Sequence, residues 1–125
     1  AEKSQMFRRM VFNAEIRNHD DHTKNLSFLM KPDGVWHLAP AYDVAWAYKP
    51  GAKWTGQHQM SINGKRDHFT RNDFLQLAKH FDISKPAEIL REVCETAKAF
   101  GDFAKEAGVD VKIVDQMMPE FRIEL

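Results

Sequence analysis

A chain of 125 residues that is 43% apolar, 11% aromatic and 29% charged has the composition of one small packed domain and not of a disordered segment. Its 18 basic and 18 acidic side chains cancel, so no bulk charge draws it to nucleic acid or membrane. The single cysteine, Cys94, excludes an internal disulfide framework and a cysteine-built zinc site, and no apolar run approaches the roughly 18 residues of a membrane helix. With no signal peptide at the start, these features predict a cytoplasmic, reducing setting and no membrane partner. The cancelled charge hides a gradient: residues 1–43 carry six acids and six bases, 44–81 two acids against six bases, and 82–125 ten acids against six bases.

Residues 3–17 predict a helix, because Phe7, Met10, Val11 and Ala14 recur at i, i+3, i+4 and i+7. Polar residues 18–25 break that period and predict a loop. Residues 26–30 and 35–38 are β-prone runs around Lys31-Pro32-Asp33-Gly34, whose turn chemistry predicts a β-hairpin. Residues 44–60, with Pro50, Gly51 and Gly56 and no period, predict a long loop, and Ser61-Ile62-Asn63-Gly64-Lys65 a turn with a strand beside it. Thr70 with Asp73 three residues on predicts a capped helix start, followed by the apolar stripe Phe74, Leu77, Ala78 and Phe81. Ser84 is the expected cap of the next helix, with Pro86 in its first turn, a buried face of Leu90, Val93, Cys94 and Ala97, and an end before Gly108. Asp110 caps a last helix that turns Val114, Met117 and Met118 inward and stops at Pro119. The fold class is therefore α+β, mostly α. An isolated hairpin is marginal in water, so this one must lie on the helices or on sequence outside the chain. The missing initial methionine also reads as a piece of a longer polypeptide.

The chemistry concentrates between Asn18 and Asp43. A polar run, Asn18-His19-Asp20-Asp21-His22-Thr23-Lys24-Asn25, lies between apolar anchors, and Asp43 follows Asn25 by eighteen residues. A hairpin between them runs out and back, which would return Asp43 close to Asn25. Phosphoryl transfer needs this set: an Asp to accept or orient the proton of the attacking hydroxyl, then an Asn and a second Asp to hold Mg²⁺ between the ATP phosphates. Asp20 and Asn25 have the spacing of the catalytic Asp and metal-binding Asn in the protein-kinase pattern.

The run Phe12-Asn13-x-x-Ile16-x-Asn18-His19-Asp20-Asp21-His22-x-Lys24-Asn25-x-Ser27-Phe28, followed by Leu38-Ala39-Pro40-Ala41-Tyr42-Asp43, resembles the HipA-like serine/threonine kinases, the toxins of bacterial toxin–antitoxin pairs. The stretch Ile62-Asn63-Gly64-Lys65-Arg66-Asp67-His68-Phe69-Thr70 resembles the same family. The resemblance implies a kinase-like C-terminal lobe, with the catalytic loop and a metal-binding hairpin over 1–43, a basic activation-segment-like loop over 44–69 and a helical part over 70–125. It implies Asp20 as catalytic base, Asn25 and Asp43 as Mg²⁺ ligands, Lys24 reaching the transferring phosphate, and His22 bracing the loop. It also implies ATP as cofactor, a protein substrate (in the family, aminoacyl-tRNA synthetases), and a helix-turn-helix antitoxin through which DNA is touched only indirectly. Tyr42-Asp43-Val44 stands where kinases carry Asp-Phe-Gly. A glycine-rich phosphate loop and its partner lysine are missing from the chain and belong to an N-terminal lobe. The fragment alone is expected to be inactive.

Blander readings stand beside these. His19 and Asp21 read as exposed, and His37, His58, His68 and His80 as lacking ligand-like partners. A metal-dependent phosphohydrolase built on His19-Asp20-Asp21-His22 is disfavoured, because four consecutive residues do not readily face one ion. The basic, aromatic loop carrying Trp46, Tyr48, Lys49, Lys53, Trp54, Lys65 and Arg66 could contact substrate, phosphate or nucleic acid, or simply pack. Cys94 reads as a buried hydrophobe, not a nucleophile. In the alternative from another class, the acidic helical half 82–125 docks an antitoxin or another protein and the motif is a relic.

Overall fold

In a computed structural model, residues 1–122 are described. Five helices and one hairpin follow in the order α1 (Glu2–Glu15), β1 (Phe28–Met30), β2 (Trp36–Leu38), α2 (Arg71–His80), α3 (Pro86–Lys98), α4 (Phe100–Glu106) and α5 (Val111–Met117), with short 3₁₀ turns at Thr23–Asn25 and Met118–Glu120. This is the expected α+β, mostly helical, class. Among the described residues, no helix is long and apolar enough to cross a membrane.

The core forms where the helical period of α1 meets that of α3. Phe7, Val11 and Ala14 pack with Leu90, Val93 and Ile89, and α2 adds Phe74 and Ala78. Phe74 meets Phe7 edge-on at 6.4 Å between ring centres and Phe69 at 5.9 Å. Ile62 is fully buried in the same cluster. The turn that inserts it is closed by Asn63 and Gly64, both with positive φ, and by reciprocal backbone bonds between Ile62 and Lys65. Only this bridge forms there, not a strand. A second cluster, Ile16, Ala97 and Phe121 with Trp46, Phe100, Met117 and Met118, joins the far ends of α1 and α3 to the C-terminal turn.

The start of α2 follows from its sequence: the Thr70 side chain accepts from Asp73 N–H while Asp73 reaches back to Thr70 N–H. Asp73 does more than cap. Its buried carboxylate also accepts from Asn63 Nδ2 at 2.9 Å and Lys65 Nζ at 2.8 Å. Burial alone would push this acid up; the four donors override it and hold the carboxyl well below the usual range.

Three local expectations are corrected. α3 begins at Pro86, so its cap is Lys85, in the left-handed region at φ 52°, and Ser84 lies one residue too early. Neither does that helix run on to Gly108: the chain turns at Ala99, and the new direction lets Phe100 reach Phe121 at 5.3 Å. Phe81 is 47% exposed because α2 stops at His80 and leaves its ring beyond the core stripe.

The hairpin pairs Phe28 with Leu38, Leu29 with His37 and Met30 with Trp36. Charged groups of α1 attach it: Glu2 Oε1 accepts from Leu38 N–H and lies 3.1 Å from His37 Nδ1, and Arg9 Nη2 donates to Ala39 O at 2.6 Å. Phe28, Leu29, Met30 and Trp36 remain more than half exposed.

Two buried acids generate predictions. Asp73→Ala strands the donors of Asn63, Lys65 and Thr70, and should lower unfolding free energy by about 3 kcal/mol in urea titrations at pH 7. Glu15 is the opposite case. It is fully buried, with neither carboxylate oxygen hydrogen-bonded, and burial pushes it from 4.5 up to about 7, against a smaller opposing pull from Lys98. An acid raised in the folded state adds stability below its unfolded value and loses it as pH rises through the folded one. The stability of Glu15→Gln relative to wild type should therefore climb by about 3 kcal/mol between pH 4.5 and 8. A flat difference across that range would show that Glu15 titrates normally.

Candidate functional site

The polar run after α1 is shaped by its entry. The helix ends at Glu15, Ile16 caps it, and Arg17 takes a left-handed φ of 57°. That conformation is costly for a residue with a Cβ, and contacts of its side chain hold it. The Arg17 guanidinium lies 3.8 Å over the Tyr48 ring, and its Nη1 meets Glu120 Oε2 at 3.0 Å. Asn18 is tied back to Asn13 through both backbone (2.9 Å) and side chain (3.0 Å). A one-residue parallel bridge, Asn18 with Ala47, then fastens the run to the long loop.

The two adjacent acids separate sharply. The Asp21 side chain is 2% exposed and accepts from His58 Nδ1 at 2.7 Å, Gln59 N–H at 2.7 Å and Met60 N–H at 3.1 Å. The Asp20 side chain is 46% exposed, with His22 Nε2 at 3.6 Å. Asp20 is thus the acid left open to solvent, while Asp21 lines the cavity that opens beside this loop. The expectation that Asp21 and His19 are exposed is corrected: His19 is fully buried, stacked at 4.1 Å on His58, with Nδ1 donating to Thr55 O at 3.1 Å. Burial first, then the neighbouring His58, pushes His19 down from 6.5 to about 4. It is an uncharged, structural imidazole at neutral pH. His58, expected to lack a partner, has one in Asp21. The signal was unreadable locally, since the partners lie 37 residues apart.

A cavity of about 680 Å³ opens beside this loop, within the range of small-molecule clefts. One face of α1 lines it through Gln5, Arg9 and Asn13, at helical spacing, opposite His22, Asn25 and Asp43. The hairpin therefore brings Asn25 and Asp43 to one cavity across eighteen residues of chain. Asn25 Nδ2 donates to Asp20 O at 3.0 Å, which leaves the amide oxygen as its ligand atom. Asp43 has a left-handed φ of 52°, and Tyr42 before it donates its hydroxyl to Lys24 O at 2.8 Å, tying the second metal candidate's segment to the first's. Asp20 and Lys24 lie outside the cavity lining, and Lys24 is exposed.

Among the described residues, no group of three or more His, Cys, Asp or Glu is placed to hold a metal ion. One carboxylate and one amide oxygen suit a cation that takes its other ligands from water and phosphate. In the basic loop, Lys65 and Arg66 are engaged internally, with Asp73 and with His58 O. Trp46 packs in the second core cluster, while Lys53 sits 4.7 Å over the exposed ring of Trp54. Cys94 is half-buried, and burial, then the neighbouring Glu15, pushes its thiol up, away from nucleophilic use.

No curated protein and no solved structure matches the chain. The family model of the HipA-like C-terminal domain matches residues 1–100, which include α1, the polar run, the hairpin, the long loop and the two helices of the main core. With four-fifths of its length covered by that match, the chain belongs to the HipA-like C-terminal domain family.

Proposed function

We propose that this chain is the catalytic lobe of an ATP- and Mg²⁺-dependent protein serine/threonine kinase, the toxin component of a toxin–antitoxin pair. The observation that carries the reading is that Asn25 and Asp43 line one cavity, with the Asp20 backbone carbonyl accepting from Asn25 Nδ2. Family membership supports it. Arg9, which lines the cavity and donates to Ala39 O, adds one positive charge to its wall.

In this reading Asn25 and Asp43 hold Mg²⁺, which supplies neutralisation of the charge that develops on the phosphates. Asp20 accepts the proton of the protein hydroxyl as its oxygen takes the phosphoryl group and the ATP β–γ bridge breaks. His22 braces the loop, with its Nε2 3.6 Å from Asp20 Oδ1. Lys24, on the exposed side of the same 3₁₀ turn, extends to the transferring phosphate. The protein substrate, a synthetase in the family pattern, and the antitoxin are outside partners. Catalysis of this type is positioning plus charge stabilisation, so it needs the phosphate-covering lobe as well.

The test is phosphate transfer from radiolabelled ATP by the intact protein. Asp20→Asn should lower kcat at least about 10³-fold while binding of Mg-ATP is kept, because a proton acceptor is lost but no ligand. Asn25→Ala and Asp43→Asn should weaken Mg²⁺ dependence as well as rate. Wild-type transfer by any of the three would remove the assigned roles.

A further inference from the structure

The scheme above uses Asp20, Asn25 and Asp43 and leaves Asp21, His19 and His58 without a task, although all three side chains are buried. Two features make them more than filler. First, Asp21 gathers three donors from one segment of the long loop, residues 58–60, and the Gln59 N–H is shared with His19 O at 3.2 Å. Second, Asp20 itself has little to aim it: its carboxylate has His22 at 3.6 Å, beyond hydrogen-bond range. Both sequence neighbours of Asp20 are instead locked. His19 is fixed by the His58 stack, by Thr55 O and by its own N–H to Ala47 O at 3.1 Å; Asp21 is fixed by its three bonds.

We propose that Asp21 and His58 are positioning residues for phosphoryl transfer, fastening the long loop to the polar run and thereby setting the direction of the Asp20 carboxylate between two immobilised neighbours. The proposal rests on the kinase reading. A misplacement of about 1 Å at a reacting group costs about 100-fold in rate, so a base with no strong bonds of its own depends on whatever holds its backbone. Asp21 lines the cavity with Asn25 and Asp43, but its oxygens accept three bonds from residues 58–60, so Asp20 is the less engaged acid of the two.

The experiment separates kcat from KM for Mg-ATP in the intact protein, comparing wild type with Asp20→Asn, Asp21→Ala, Asp21→Asn and His58→Gln, each checked by its melting temperature. Asp21→Ala should lower kcat about 100-fold with a smaller change in KM, because Asn25 and Asp43 are untouched although Asp21 also lines the cavity. Asp21→Asn, whose amide oxygen still accepts from Gln59 and Met60, should recover about tenfold of that loss. If Asp21→Ala does not fold, His58→Gln takes its place, with an expected loss in kcat of at least about tenfold. A kcat within about twofold of wild type in the folded variant overturns the positioning role, as does a loss that appears in KM alone or that Asp21→Asn fails to recover. If wild type transfers no phosphate, or Asp20→Asn transfers it as well as wild type, the kinase reading itself falls and takes the proposal with it.

Discussion

The constraint on which this structure turns is the need to satisfy the backbone of a long irregular segment. Between the end of β2 at Leu38 and the start of α2 at Arg71 the chain forms no ladder, only single-residue bridges. Loops of that length inside a compact domain need outside partners for their polar groups. Here a carboxylate provides them. Asp21 takes the N–H groups of Gln59 and Met60, and the Asn18–Ala47 bridge takes another pair. The result is that the residues proposed to do chemistry and the residues that hold up the loop belong to the same short run.

That sharing explains how neighbouring acids acquire different uses. Asp20 and Asp21 are chemically alike, and within the run only the spacing of Asp20 from Asn25 sets them apart. The distinction comes from the donors each one meets. Asp21 faces His58 and two backbone N–H groups, so its charge is matched and withdrawn from solvent. Asp20 faces the outside and stays available. The same logic separates the buried acids of the helical part. Asp73 has donors on every side and Glu15 has none, and their proton affinities move in opposite directions under the same burial.

What the sequence made legible was local. The amphipathic period of α1, the Thr70–Asp73 box, the Asp33-Gly34 turn and the Asp110 cap each depend on residues within a few positions of one another, and each appears where expected. Asn25 and Asp43 also line one cavity, at the two ends of a hairpin that runs out and back. What could not be read was the fate of polar groups whose partners are distant. His19 and Asp21 have the composition of a solvated loop, and only the arrival of Thr55 and residues 58–60 turns them inward. The break at Ala99 was hidden for a similar reason: alanine is an excellent helix former, and the turn there serves a contact between Phe100 and Phe121. Ser84 misled because serine is a good cap in general, whereas the proline that follows fixes where this helix begins.

The hairpin shows what kind of support the site receives. Two short strands alone would not persist in water, and the apolar side chains of this pair are too exposed to hold it by burial. Polar attachments do so instead, and they lie at the base, where Glu2 takes Leu38 N–H and Arg9 takes Ala39 O. Directional bonds of this sort fix register and angle better than a greasy contact, which tolerates sliding. They also place the constraint close to where it matters. Arg9 both anchors the strand exit and lines the cavity, and Asp43 follows that exit by only a few residues. The position of the second carboxylate is therefore set from α1, the same helix whose end launches the polar run. One rigid element, packed against α3 through Phe7, Val11 and Ala14, thus controls both arms of the site.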